Sequence, residues 1–306
     1  MRTCVIVNPN AGSVDELDTL RAVVRKLGAV LRQTEKAGDA RHMAREALES
    51  GAGLVVAAGG DGTLNEVVNG LAGESGDFRA ARLGLLPLGT GNDFARSINV
   101  PADLEAALAV LLEGRTLAVD VARATLPHET RWFVNMAAGG FSGIVSEKAD
   151  EAKDRWGPLA YLRAALGTLP ELQGFKARIT VNHSEQLEID AYNVIVSNGR
   201  FVAAGIPVAP QSRLDDGLLD LMIAPATTIP QLALLVPQIL LGRHAESELL
   251  LFRKATQIEI ESHPPMSFNV DGELIGEAPV RFDVLPRALE VIVGPEPGDA
   301  DNAMGA

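Results

Sequence analysis

Five consecutive apolar residues, Leu54 to Ala58, run straight into Gly59-Gly60-Asp61-Gly62-Thr63-Leu64-Asn65-Glu66 and from there into helical spacing. A strand that is apolar along its whole length is buried on both faces, which is the habit of a parallel sheet covered by helices. The alternation extends in both directions. Thr3 to Val7 is β-like, Asp15 to Leu27 helical, Ala29 to Thr34 β-like and Arg41 to Ser50 helical. After the glycine block come a helix from Thr63 to Leu71, a strand from Leu83 to Pro87 and a helix from Leu104 to Leu112. The reading is an α/β N-terminal domain with a mostly parallel sheet, whose ligands sit beyond the C-terminal strand ends.

After about residue 120 the rhythm changes to strands: Trp132 to Ala137, Lys176 to Val181, Gln186 to Ser197, Leu218 to Ala224, Gln257 to Glu261 and Ser267 to Val270. This predicts a β-rich, antiparallel, sandwich-like second domain. Two helical insertions interrupt it, Leu159 to Leu169 and Ile229 to Leu241, and Leu289 to Val293 is a further short apolar strand. A tail of Gly, Pro, Asp and Asn without periodicity, 296–306, is expected to be disordered. With 27 Lys and Arg against 40 Asp and Glu, the net charge of −13 would repel a phosphate backbone, so nucleic acid is not an expected partner. The single cysteine, Cys4, reads as a small core residue, and the compartment as reducing cytosol. No leader pattern is seen, and no run reaches the ~18 apolar residues of a spanning helix. The expected protein is cytoplasmic, at most resting on the inner face of a membrane.

Glycines in the Gly59 to Glu66 block let backbone N–H groups approach an anion, and the helix N-terminus adds a dipole that favours phosphate. Thr63-x-x-Glu66 could equally be a capping box, but that leaves Asp61 unexplained unless a divalent cation joins it to the phosphates. Two more loops follow the same architecture, Asn8-Pro9-Asn10-Ala11-Gly12 and Gly89-Thr90-Gly91-Asn92-Asp93. Three loops at one predicted sheet edge point to a nucleotide. Neither a Walker A loop nor the dinucleotide fingerprint Gly-x-Gly-x-x-Gly is present.

Asn8-Pro9-x-x-Gly12, the Gly-Gly-Asp-Gly-Thr block and Leu86-Pro87-Leu88-Gly89-Thr90-Gly91-Asn92-Asp93-Phe94-Ala95 together resemble the diacylglycerol kinase catalytic-domain superfamily, particularly its soluble bacterial lipid kinases. Gly-Gly-Asp-Gly-Thr alone is shared with NAD kinases and phosphofructokinases. The resemblance implies ATP and Mg2+ as cofactors, and an active site in an interdomain cleft. It implies a nucleotide-binding domain of 1–122 that closes with about 287–295, and a lipid-substrate domain of 123–286. Nucleotide contacts are implied for Asn8, Pro9, Asn10, Ala11, Gly12, Thr34, Gly60, Asp61, Gly62, Thr63, Leu64, Asn65, Glu66 and Thr90.

Two later motifs extend the resemblance. Leu214-Asp215-Asp216-Gly217-Leu218-Leu219-Asp220 reads by itself as an Asp-Gly turn. In the family it resembles a structural Mg2+ site, which here implies Asp216 with the carbonyls of Arg213 and Leu218. Asn269-Val270-Asp271-Gly272-Glu273 also reads as a turn, and the family makes Glu273 the general base that takes the proton of the lipid hydroxyl. Asp61 and Asp120 are the other catalytic residues so implied; a surface strand-end aspartate is the competing reading of Asp120. One departure stands out: Ser13 occupies the place where some relatives carry lysine, and Ser13-x-x-Glu16 makes a capping box instead. Phosphate neutralisation then rests on Mg2+, backbone N–H groups or an arginine that the sequence does not place.

The expected activity is an ATP-dependent lipid kinase acting at a membrane surface, with diacylglycerol the first acceptor and phosphatidic acid the product. A sphingoid base or phosphatidylglycerol as acceptor, NAD kinase activity, or an inactive nucleotide- or lipid-binding regulator are the alternatives. The segment from Trp156 to Leu169 and the Ile229 to Leu241 helix are the candidate apolar walls for a lipid. Oligomeric state is left open, a homodimer included.

Overall fold

The computed structural model describes residues 2–11, 14–73, 76–140, 167, 172 and 174–296. Gly12, Ser13, the Trp156 to Leu169 segment apart from Gly167, and the tail beyond 296 lie outside the described residues. The chain divides into two compact units, Met1–Val119 with Arg287–Ala306, and Asp120–Pro286.

In the first unit β1 (Arg2–Val7) is flanked by β2 (Val30–Gln33) and β3 (Ala52–Gly59), and β3 by β4 (Arg82–Pro87), all parallel. The last residues of β15 (Val280–Ile292) complete the row, with Val291 on Leu83. Val5, Val55, Val56, Ala58 and Leu83 are wholly buried, as two-sided coverage requires. The helices are α1 (Val14–Leu27), α2 (Asp39–Glu49), α3 (Asp61–Leu71), α4 (Asp93–Ser97) and α5 (Leu104–Glu113). Helix α2 buries Ala40, Ala44 and Ala47, and these small side chains let α3 come close. A Cβ on Gly70 of α3 would lie 2.4 Å from the Arg41 carbonyl oxygen. The chain end is tied to this unit by Val293 N–H to the Arg115 carbonyl and Gly294 N–H to the Ile98 carbonyl, both 2.9 Å.

The second unit is an antiparallel β sandwich. Its sheet runs β14 (Glu273–Glu277), β13 (Ser267–Val270), β7 (Met136–Gly140), β9 (Glu185–Ser197), β8 (Phe175–Val181), β12 (Gln257–His263) and the first residues of β15. Strand β9 also pairs with β10 (Leu219–Pro225), which pairs with β11 (Leu251–Ala255), and β5 (Thr116–Thr125) pairs with β6 (Thr130–Phe133). One core is built on Phe133, Phe268 and Phe282, with Phe133 and Phe282 edge to face at 6.1 Å. A second gathers Met136, Ile195, Met222, Leu232 and Leu235 beneath α6 (Ile229–Leu240).

The expected single strand from Trp132 to Ala137 is broken into β6 and β7 at Val134 and Asn135. There the backbone N–H groups leave the ladder for a carboxylate described below. Strands β5, β11 and β14, and the part of β15 before Leu289, were not anticipated from the sequence. Cys4 is buried, and its burial pushes the thiol pKa up.

Candidate active site

In the first unit, three loops leave the C-terminal ends of neighbouring parallel strands. Beyond β1, Asn8 is held by its N–H to the Ala58 carbonyl (3.1 Å), and its side chain accepts the Asn10 N–H (3.0 Å). Pro9–Ala11 form a single 3-10 turn. Thr34 is buried at the end of β2, where its hydroxyl and N–H both donate to the Val7 carbonyl. Beyond β3, Gly60 caps α3 without offering a side chain, so the first-turn N–H groups keep their donors for an incoming anion. Gly59 and Gly89 are required by close approach. A Cβ on Gly59 would stand 2.4 Å from the Thr63 hydroxyl, and one on Gly89 would stand 2.4 Å from the Gly60 Cα. The β3 and β4 loops therefore touch backbone to backbone.

Asp61 joins these two loops. Its Oδ1 accepts the N–H groups of Asp93 (2.9 Å) and Phe94 (3.3 Å) at the start of α4, while Oδ2 makes no hydrogen bond among the described residues. A half-exposed carboxylate with one committed oxygen and one uncommitted oxygen, next to exposed Gly62 and Thr90, fits a hard cation carried by phosphates. The donor set is thus compatible with Mg2+·ATP. The Gly89 loop is anchored by Asn92, whose amide accepts from Gly89 N–H (3.1 Å) and donates to the Gly89 carbonyl (2.6 Å). Arg96 is an arginine that sequence reasoning could not place. Exposed on α4, it donates from Nε to the Gly91 carbonyl at 3.3 Å.

Several implied nucleotide contacts have other work. Thr63, Leu64 and Asn65 are buried in α3, and the Asn65 carbonyl accepts from the Asn69 amide at 2.9 Å. Glu66 accepts the N–H groups of Gly38 (2.8 Å) and Ala40 (3.0 Å), capping α2. That corrects the capping-box reading. Because α3 begins at Asp61 with Gly60 as its cap, Glu66 falls a turn too late to reach back.

In the second unit, Asp120 is wholly buried, which overturns the surface reading. Its Oδ2 accepts the Gly217 N–H at 2.7 Å, and its own N–H donates to the Leu214 carbonyl at 2.6 Å, so Asp120 and the Asp216 turn come together. The Asn198 amide donates to the carbonyls of both Asp120 (3.1 Å) and Val134 (2.9 Å). At the β6–β7 break, the Asp271 carboxylate accepts three N–H groups, from Val134 (3.2 Å), Asn135 (3.2 Å) and Met136 (2.9 Å). Asp271 and Gly272 both turn through positive φ (46° and 96°), and Glu273 follows, half-buried, at the start of β14. Asp120, Asn198, Asp271 and the Glu273 hairpin thus form one connected backbone and side-chain network. Asp271 stood inside a motif visible in the sequence, whereas nothing local marked Asn198.

At the Asp216 turn, for which the resemblance implies Mg2+, the charged side chains pair with one another. The guanidinium of Arg213 pairs with Asp215 (3.1 Å). Asp216 accepts the Leu218 N–H on Oδ1 (3.1 Å) and the Lys254 ammonium on Oδ2 (3.0 Å). Burial alone would pull the Lys254 pKa down; the carboxylates of Asp216 and Asp220 outweigh it and hold the ammonium above its ordinary value. Among the described residues, no three His, Cys, Asp or Glu side chains converge as a metal-holding set. Also among them, no helix is long and apolar enough to cross a membrane.

Comparison with known proteins agrees with this layout. Residues 2–124 match the diacylglycerol kinase catalytic domain, and residues 135–293 match the YegS C-terminal NAD kinase beta sandwich-like domain. The diacylglycerol kinase of Staphylococcus saprophyticus subsp. saprophyticus is 33% identical over 307 residues, covering 98% of this chain and 97% of that one. The "Probable lipid kinase YegS-like" of Pectobacterium atrosepticum is 35% identical over 301 residues, covering 96% of each. The crystal structure of a diacylglycerol kinase from Bacillus anthracis str. Sterne gives a TM-score of 0.75 at 26% identity, covering 96% of this chain and 97% of that one. With loops, order of units and near full-length similarity in agreement, the chain belongs to the diacylglycerol kinase catalytic-domain family of lipid kinases.

Proposed function

We propose that this lipid kinase transfers the γ-phosphoryl group of ATP to the free hydroxyl of diacylglycerol, forming phosphatidic acid and ADP. The observation that carries the reading is Asp61, which ties two glycine loops together through Oδ1 and keeps Oδ2 uncommitted at the phosphate-binding edge of a parallel sheet. The N-terminal N–H groups of α3 and the loop backbone would receive the phosphates, and Asp61 Oδ2 would hold Mg2+. When bound, that ion supplies charge neutralisation for the transferring group. The new bond joins the acceptor oxygen to the γ-phosphorus while the bond from that phosphorus to the β-bridging oxygen breaks. The hydroxyl proton passes to the Glu273 carboxylate. Glu273 suits that role because the Asp271 carboxylate, held by three N–H groups, fixes the hairpin that carries it. Arg96 offers a cation to the Gly89 loop in a chain that has Ser13 where some relatives have lysine.

Diacylglycerol is preferred as acceptor because the named activity of the staphylococcal relatives is diacylglycerol kinase. Leu234 and Leu241, 62% and 66% exposed on and beside α6, give the second unit apolar contacts for a lipid surface. The test uses γ-labelled ATP and Mg2+ with separate detergent dispersions of diacylglycerol, sphingosine and phosphatidylglycerol, and with NAD. Label in phosphatidic acid well above the other products is expected. Label in a different lipid would overturn the acceptor, and label in NADP alone would overturn the lipid-kinase reading.

A further inference from the structure

We infer that Lys254 is the built-in cation of the 213–220 turn, standing where the family resemblance implies a structural Mg2+. Register places it there. Lys254 on β11 lies directly opposite Asp220 on β10, and its ammonium reaches both Asp216 Oδ2 (3.0 Å) and Asp220 Oδ1 (3.5 Å). Around the ammonium, Asp220 Oδ2 is buried without a hydrogen-bond partner among the described residues, and three other groups of the turn are engaged. Asp216 Oδ1 takes the Leu218 N–H, Asp215 takes Arg213, and the Gly217 N–H goes to Asp120. A divalent ion on Asp216 would have to share a carboxylate oxygen with an ammonium in direct contact, or expel it. Mg2+ demands near-octahedral oxygen ligation and gives up water reluctantly, so one carboxylate already serving two N–H donors is a poor exchange for hydration. The Lys254 side chain is itself partly buried, 40% exposed against 20% for each of the two aspartates.

This inference does not depend on which lipid is phosphorylated, and its test needs neither nucleotide nor acceptor. Thermal unfolding of the full chain is followed in EDTA and in excess Mg2+ for the wild type, Lys254→Met and Lys254→Arg. The wild type should melt at the same temperature in both buffers. Lys254→Met should melt several degrees lower in EDTA and recover much of the loss when Mg2+ fills the socket, whereas Lys254→Arg should stay close to wild type. A wild type that loses stability on chelation and regains it with Mg2+ would overturn the inference, as would a Lys254→Met variant that melts like wild type in both. If Lys254→Met does not fold, metal content decides. Nucleotide-free Asp61→Asn protein equilibrated with Mg2+ should retain none. One bound equivalent that disappears on adding Asp216→Ala would contradict the role given to Lys254.

Discussion

Asp61 is assigned two tasks that substitution can separate. Its Oδ1 satisfies the N–H groups of Asp93 at 2.9 Å and Phe94 at 3.3 Å, and its charge with the uncommitted Oδ2 is what a phosphate-bound cation needs. Asp61→Ala removes both. Hydrogen bonds to charged groups contribute about 1.5–3 kcal/mol each, and with the longer bond at the low end or below, the pair amounts to about 2–4 kcal/mol. At about 2 °C per kcal/mol for a chain of this size, Tm should fall by about 4–8 °C. Asp61→Asn keeps an acceptor oxygen and loses only the charge-assisted part and the dipole interaction at α4, about 1 kcal/mol or about 2 °C. Loss of a metal-bridging carboxylate removes several kcal/mol of charge stabilisation from phosphoryl transfer. Taking about 3 kcal/mol, the rate falls roughly 100-fold, and it should do so in both variants. The assay pairs calorimetry with initial rates of labelled lipid formation. Near wild-type turnover in Asp61→Asn would reduce Asp61 to a loop staple, and an unchanged Tm in Asp61→Ala would refute the staple.

Three other outcomes follow from the same geometry. Gly89→Ala drives a Cβ to 2.4 Å from the Gly60 Cα, and since neither partner is a flexible side chain the two loops must part; KM for ATP should rise at least tenfold, at an overpacking cost of about 1–3 kcal/mol read from Tm. Asp271→Ala orphans three part-buried N–H groups and frees the Glu273 hairpin, so Tm should drop and kcat should fall while KM for ATP, measured at saturating lipid, stays put. The Asp39 carboxylate is held below its ordinary pKa by the N–H groups of Glu35 and Lys36. Its contribution is therefore complete above its unfolded pKa of about 4 and fades as pH falls through the lowered value, so a Tm gap to Asp39→Asn, open at neutral pH, should close in acid.

The parallel sheet was legible because strands buried on both faces leave uninterrupted apolar runs such as Leu54 to Ala58, and the loops that follow announce themselves by glycine. Strand β11 was not legible, since Arg253 and Lys254 interrupt its apolar character and only its pairing with β10 explains them. Site residues divided along the same line. Gly60, Asp61 and Glu273 stand in local motifs, but what their neighbours do is set by contacts distant in sequence. Asp271 finds its donors more than 130 residues away, Glu66 leaves its own helix for α2, and Asp120 is buried against a turn 97 residues on. Local spacing cannot express such pairings. Lys254 is the plainest case: one unremarkable lysine in the sequence, and a charged partner to two aspartates in the fold.

The most direct measurement of the central claim is the initial rate of phosphatidic acid formation from γ-labelled ATP, Mg2+ and dispersed diacylglycerol, for wild type and Glu273→Ala side by side with ATP binding measured separately. The account predicts lipid product from the wild type, a loss of at least 100-fold in Glu273→Ala as expected for removing a general base, and unchanged affinity for ATP. Equal product from both proteins would contradict the role given to Glu273, and no lipid product from a wild type that binds ATP would contradict the account itself.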